Sequence, residues 1–303
     1  MSGVSSGSGV ISGTVAADGA DIYYEQRGAG PPLLLITGGG GDCGGYAALA
    51  DILAADYTVL TYDRRGNSRS PLRRPPAPIT MAEQSQDALA VLRAGGFESA
   101  RVFGNSGGAT IALDLVAHHP RSAGAVVAHE PPLPVVLPEA ARYLAEYDEI
   151  ARVLEAEGWQ AALRLFQLLT GHVPPDRQAM VMTALLDPAK LLPPGPHLDL
   201  MRRLSHNWEY MVRFEIQPFI RYRPDLDRIA AAGTPVALAA GVDTIAMAQR
   251  EGAGPDPLHR PAAVIAARLG AELAEFPGGH QAALEVPGLF ATALRGLFER
   301  MPA

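Results

Sequence analysis

Residues 101–108 read Arg-Val-Phe-Gly-Asn-Ser-Gly-Gly, and no other stretch restricts the fold as much. A short apolar strand enters Gly-x-Ser-x-Gly, and an apolar helical run with Ile111, Leu113, Leu115 and Val116 follows. A serine on so tight a strand-to-helix turn needs neighbours without side chains two before and two after it. Gly104 and Gly108 supply them. The turn lifts the Ser106 hydroxyl above the carboxyl edge of a sheet and aims the first amides of the next helix at whatever binds there. With 32 glycines in 303 residues, a Gly-Ser-Gly loop can arise by chance. The flanking strand and helix set this one apart.

The rest of the chain supplies such a sheet. Alternation over Ala20–Arg27 predicts a strand. Apolar runs at 33–36 and 123–129 predict strands buried on both faces, and 57–62 reads as another strand. Helical patterns at 46–55 and 81–95 separate them. Strands resume at 234–240 and 272–276, with helices at 261–269 and 287–301. Strands alternating with helices predict an α/β fold of parallel, right-handed βαβ units, with ligands at the carboxyl ends of the strands. From 133 to 222 the pattern is helical only, over 140–157, 159–170, 177–186 and 198–222. Breaks fall at Pro174-Pro175 and Pro193-Pro194-Gly195-Pro196. The expected organisation is a disordered tail over 1–13, an α/β core from 14–132 and 223–303, and a helical cap over 133–222.

Composition narrows the function classes. The net charge is −7 with no basic cluster, which argues against nucleic acid and against an anionic membrane surface. No apolar run approaches the roughly 18 residues of a membrane span. Cys43 is the single cysteine, so there is no internal disulfide framework. Residues 1–13 lack a charged n-region and a long h-region, and with the lone cysteine they point to a cytoplasmic protein. The expected partner is a small molecule, with a homodimer left open and no cofactor required.

The elbow, the turn Asp63-Arg64-Arg65-Gly66-Asn67-Ser68-Arg69-Ser70, the glycine turn after Ile36 and the late Pro277-Gly278-Gly279-His280 together resemble the α/β-hydrolase fold. The resemblance runs from about residue 20 to the C-terminus. It implies a mostly parallel twisted sheet flanked by helices, an all-helical cap, and the chain order serine, acid, histidine. Ser106 needs a base, because a hydroxyl is a poor nucleophile at neutral pH. Of the eight histidines only His280 lies in a loop after a late strand and before the last helix, where the family places its base. His118 and His119 close the elbow helix and read as caps. His129, His172, His197, His206 and His259 have no cluster spacing for a metal.

Two carboxylates compete to orient that base. Asp243 follows the strand at 235–240, the commoner position in the family, and Glu130 follows the strand ending at His129, the rarer one. Glu130 is preferred and Asp243 is the second choice. Pro131-Pro132 stops the strand behind Glu130. That strand comes directly after the elbow helix and so is expected beside the elbow strand. A carboxylate at the end of the apolar run 124–128 is also costly unless a group such as an imidazole pairs with it. For the oxyanion hole, one donor is the Gly107 amide; family position indicates Gly39 as the other, with Gly38 and Gly40 as alternatives, because the chain has Thr37-Gly38 where the family often has His-Gly. Cys43 reads as a small apolar filler.

The cap stretch is rich in Leu, Met and aromatic residues, which implies an apolar roof over Ser106 and a neutral hydrophobic substrate. Trp208 and Tyr210 are candidates for polar contacts to the substrate. The run Tyr23-Tyr24-Glu25-Gln26-Arg27-Gly28-Ala29-Gly30-Pro31, the strand end His129-Glu130-Pro131-Pro132 and the Pro277-Gly278-Gly279-His280 loop are similar to the zearalenone lactonases. That likeness implies a glutamate as triad acid and a substrate-contacting tryptophan near Trp208. This chain is longer, its elbow reads Asn105-Ser106-Gly107, and most of its cap differs. The expected activity is hydrolysis of a hydrophobic carboxylic ester or lactone, with zearalenone-type macrolactone favoured. The alternatives are a general carboxylesterase, a proline-iminopeptidase-like hydrolase using Glu209 or Glu215 to hold an amine, a C–C bond hydrolase, and a non-catalytic small-molecule-binding protein.

Overall fold

The computed structural model describes residues 5–7, 9–170, 178–249 and 258–302. His172, Pro174-Pro175 and residues 1–4 and 8 of the expected tail lie outside them. The strands are β1 (Ser5–Gly7), β2 (Val10–Ala17), β3 (Ala20–Arg27), β4 (Pro32–Ile36), β5 (Thr58–Tyr62), β6 (Ala100–Asn105), β7 (Ala123–His129), β8 (Val236–Gly241) and β9 (Leu273–Phe276). Among the described residues they form one nine-stranded sheet in the order β1-β2-β3-β5-β4-β6-β7-β8-β9. The pairs from β1 to β5 are antiparallel, and every pair from β5 through β4 to β9 is parallel.

The expected tail is corrected at its C-terminal end. Val10–Ala17 pairs along its length with β3, closed by the two-residue turn Asp18-Gly19 with Gly19 at φ 73°. Asp-Gly between alternating runs is a strong hairpin signal. The Ser, Gly and Ala content that suggests disorder here belongs to an edge ribbon, whose side chains bury little and whose backbone supplies the pairing.

The central strands are covered on both faces, as their apolar runs predict. Leu33 and Leu35 pack with Phe103, Val127 and Phe290 on one side. Leu34 and Ile36 pack with Val102, Ile111 and Val126 on the other. Full burial of each such side chain stabilises by about 2 kcal/mol. β6 lies between β4 and β7, so the residues after these three strands meet at one edge.

Between β7 and β8 the described residues form no strand. Helices Ala140–Glu157, Trp159–Leu169, Gln178–Leu186 and Pro196–Tyr210 lead into a π-helical turn at Met211–Glu215 and a helix at Ile216–Arg221. They share a hydrophobic cluster that includes Tyr147, Ile150, Leu163, Met182, Met211 and Ile216. The pattern at 198–222 reads as one helix. The π turn widens it and re-aims the side chains from Met211 to Glu215, a local change common at functional sites. No helix among the described residues is long and apolar enough to cross a membrane.

Candidate active site

The elbow permits no side chain at its two outer glycines. A Cβ on Gly104 would lie 2.2 Å from the Gly108 carbonyl oxygen, and one on Gly108 would lie 2.1 Å from that of Ile36. Ser106 between them stands at φ 56°, ψ −125°. Such a backbone costs a non-glycine residue about 1–3 kcal/mol and persists only where its surroundings hold it. The Ser106 N–H donates to the His129 carbonyl at 2.9 Å, and the Ser106 carbonyl accepts from Ala109 and Thr110 at 2.9 and 3.2 Å. The helix Gly107–His118 starts there, and its first amides have no acceptor within the helix.

Asn105 of β6 stands in register with His129 of β7, which brings the residues after both strands side by side. Glu130 turns out of β7 at φ 49° while its N–H still bonds the Ala239 carbonyl at 3.0 Å. Its carboxylate is fully buried. Oε2 accepts from His280 Nδ1 at 2.5 Å and Oε1 from the Gly241 N–H at 2.8 Å. Burial alone would raise the Glu130 carboxyl, but the bond from His280, assisted by the Gly241 amide, holds it down at about 2. With Nδ1–H donated to Glu130, Nε2 is the nitrogen that accepts a proton in the neutral ring. His280 and Ser106 line the same cavity. Asp243 lies in the first turn of the helix Val242–Ala248, exposed, with its N–H bonded to the Gly278 carbonyl at 3.0 Å.

A second buried layer supports the histidine loop. Asn105 Nδ2 donates to the His280 carbonyl at 3.2 Å, and His129 Nδ1–H donates to Asn105 Oδ1 at 2.7 Å. His129 packs among Phe103, Phe276 and Phe290, and burial lowers its pKa to about 4, so the ring is neutral at pH 7. The spacing of His129 shows nothing of this role. Its signal is the strand register, which pairing alone reveals.

The glycine loop after β4 lies against Ser106. A Cβ on Gly38 would lie 2.7 Å from Ser106 Cβ. Gly39 lines the cavity together with Ser106 and Gly107. Cys43 is buried next to this loop, its amide bonded to Asp63 Oδ1 at 2.8 Å and its sulfur 3.3 Å from Arg69 Nη2. Burial raises its thiol well above the usual range, the state of an unreactive filler.

The cavity over Ser106 measures about 380 Å³, and Leu163, Phe166, Leu204, Trp208 and Met211 form much of its wall. The Trp208 ring covers Gly40, and its Nε1 is buried without an acceptor among the described residues. Tyr210 does not share this position. Its ring sits over Gly66 and packs on Phe214 at 5.2 Å, and it is not among the described residues lining the cavity. The expectation of a Tyr210 substrate contact is therefore corrected, because helix positions i and i+2 face different directions. Glu209 is half-exposed and pairs with Arg213 at 2.7 Å. Glu215 lines a smaller cavity of about 60 Å³ that Ser106 and His280 also line, and it is fully buried and paired with Arg64 at 2.7 Å.

A family model for the alpha/beta hydrolase fold matches residues 31–152. The uncharacterized hydrolase YraK of Bacillus subtilis (strain 168) is 32% identical over 273 residues, which is 89% of this chain and 90% of that protein. Among solved structures, the enol-lactonase from Burkholderia xenovorans LB400 is similar with a TM-score of 0.67 at 16% identity, covering 95% of this chain and all (100%) of that one. Est816, described as an N-acyl homoserine lactone degrading enzyme, is similar with a TM-score of 0.65 at 21% identity, covering 93% of this chain and 99% of that one. At these identities the two solved structures speak to the fold.

Proposed function

The chain belongs to the α/β-hydrolase family, and on that premise we propose that it hydrolyses hydrophobic carboxylic esters or lactones through Ser106, His280 and Glu130. The observation that carries this reading is the 2.5 Å contact of Glu130 with His280 Nδ1, at the edge of the apolar cavity that Ser106 also lines. Neutral His280 takes the Ser106 proton at Nε2 as Oγ attacks the carbonyl carbon. The tetrahedral oxyanion is received by the Gly107 and Gly39 amides, each worth on the order of 3 kcal/mol in the barrier. Glu130 fixes the tautomer and stabilises the imidazolium. His280 then protonates the leaving alkoxide, and water hydrolyses the acyl-enzyme by the same proton path.

A lactone adds one requirement. Its leaving alcohol stays tethered to the acyl group and re-closes the ring unless the cavity wall holds it away while water attacks. Within this class a zearalenone-type macrolactone is the favoured substrate, on the likeness of residues 23–31, 129–132 and 277–280 to the zearalenone lactonases. Both structural neighbours named above are described by reactions on lactones, which agrees with the class and adds nothing on the ring. A peptidase reading needs an available carboxylate to hold an amine. Glu215 is occupied by Arg64, and Glu209 is half-exposed and held by Arg213.

The test is a fluorophosphonate probe followed by peptide mapping, together with turnover of an ester and lactone panel. Labelling at Ser106, lost in Ser106→Ala, with turnover rising as the acyl part becomes more apolar, is the expected outcome. An unlabelled Ser106 would leave the non-catalytic binding protein as the better reading.

A further inference from the structure

The oxyanion loop is four consecutive glycines, Gly38 to Gly41, and glycine peptides turn over with little steric resistance. Something else must hold the loop in one orientation. Its carbonyls show what does. The Gly40 carbonyl accepts from Asn207 Nδ2 at 2.5 Å, and the Gly41 carbonyl accepts from the Arg64 N–H at 2.8 Å. The Gly38 carbonyl accepts from Arg64 Nη2 at 3.0 Å, with a longer bond of 3.3 Å from the Gly41 amide.

The described residues have no cis peptide bonds, so the Gly38 carbonyl and the Gly39 N–H, which share one peptide plane, point in opposite directions. A carbonyl drawn to Arg64 therefore leaves the Gly39 amide directed away from the guanidinium. A flip of this peptide would turn the carbonyl toward the place of the oxyanion, and it would have to break the Arg64 bond.

Arg64 is itself locked. It is fully buried and meets Glu215 in a bidentate pair at 2.7 and 2.8 Å. Asn67 Nδ2 donates to the same carboxylate at 3.0 Å. The guanidinium carbon lies 5.3 Å from the Phe219 ring centre, and Phe219 also packs on Gly107. Glu215 belongs to the π turn that carries Met211 onto Gly39. A buried ion pair is weak evidence for stability, since apolar groups of similar volume do as well or better.

We propose that Arg64 is a positioning residue that holds the Gly38–Gly39 peptide in the orientation the oxyanion hole needs, and that Glu215 from the helical layer locks it there. The inference rests on the proposed serine hydrolase reading. Its consequence is that the oxyanion donor is set only when the π turn is seated against the sheet edge.

Arg64→Met removes the donor but strands the Glu215 carboxylate in the interior. The double variant Arg64→Met/Glu215→Met, neutral at both positions, is therefore made beside it. Both are assayed on p-nitrophenyl butyrate. They are also titrated with a trifluoromethyl ketone, whose serine adduct places an oxyanion in the hole, and with the matching alcohol, which forms no adduct. The double variant is expected to melt at or above the wild-type temperature. Its kcat is expected to fall about 100-fold with KM changed by less than about 3-fold. The ketone should weaken by the same factor as kcat, and the alcohol should bind as before.

A double variant with wild-type kcat overturns the proposal. So does one that loses the alcohol as strongly as the ketone, or one that does not fold, because the pair would then serve the fold itself. Fluorophosphonate labelling separates the two levels. If Ser106 of the wild type is not labelled, the hydrolase reading fails. If it is labelled while the double variant keeps full kcat, only the role of Arg64 fails.

Discussion

Glu130 accepts from His280 Nδ1 at 2.5 Å while its own backbone stands at φ 49°. Ser106, at φ 56°, is the residue after the neighbouring strand. Two adjacent parallel strands thus end in non-glycine residues held in a sparsely populated conformation, at roughly 1–3 kcal/mol each. Interstrand bonds hold both: the Ser106 amide to the His129 carbonyl and the Glu130 amide to the Ala239 carbonyl. The serine and the carboxylate are presented by the same device, on rigid strand ends instead of mobile loops.

Close packing makes one glycine irreplaceable at the elbow, and open space leaves another optional elsewhere. Gly108→Ala would place a Cβ 2.1 Å from the Ile36 carbonyl oxygen, where only backbone can yield. It is expected to destabilise by about 3 kcal/mol or more. Gly288→Ala, in the helix Pro287–Arg300 with nothing within 4 Å of the new Cβ, is expected to be neutral or to stabilise by up to about 1 kcal/mol. Urea denaturation midpoints compare the two, and equal midpoints would contradict the packing described.

His129 predicts an acid-sensitive fold. Its pKa is lowered from the ordinary 6.5 to about 4 by burial. The unfolded chain takes up a proton near pH 6.5 that the folded chain takes up only near pH 4. Stability is therefore full above this window and falls as the pH drops through it, by roughly 3 kcal/mol in all. Glu130 adds a later loss. Its folded carboxyl is held below the ordinary 4.5, so its contribution is present above that value and disappears as the pH falls toward about 2. Denaturant midpoints measured at about pH 7 and about pH 4.5 should differ in wild type, and much less in His129→Leu. A wild-type midpoint that does not move would contradict the buried neutral ring.

A role for Trp208 in substrate choice is testable. The residue lines the cavity, and its Nε1 is buried without an acceptor among the described residues. Trp208→Phe keeps most of the apolar wall and removes the donor. For lactones with a second oxygen function remote from the scissile bond, kcat/KM is expected to fall about 10-fold, equivalent to one neutral hydrogen bond. For p-nitrophenyl butyrate it should hardly change. Equal losses on both would show that the indole acts through packing alone.

Much of this arrangement is legible in the sequence because it is local. The apolar run before the glycines, the Gly-x-Ser-x-Gly turn and the proline stop after Glu130 each fix a backbone event within a few residues. The preference for Glu130 over Asp243 follows from chain order, since the strand after the elbow helix pairs with the elbow strand. The first strands escape because Val10–Ala17 is mostly small residues, and its best signal is the Asp18-Gly19 turn. The pairing of Arg64 with Glu215 escapes because 151 residues separate them: the sequence shows Arg64 only as part of the 63–70 turn and Glu215 only as a candidate to hold an amine. Tyr210 is misread because positions 208 and 210 of one helix face different directions.

The most direct measurement is ester and lactone turnover by Glu130→Gln and Asp243→Asn, side by side with wild type. Glu130→Gln keeps the shape at His280 Nδ1 but loses the charge that sets the tautomer. Its kcat is expected to fall by roughly 10³ to 10⁴, with KM little changed. Asp243→Asn, altering an exposed residue in the first turn of a helix, should retain wild-type kcat within about 2-fold. Loss of turnover in Asp243→Asn with an active Glu130→Gln would contradict the account at its centre.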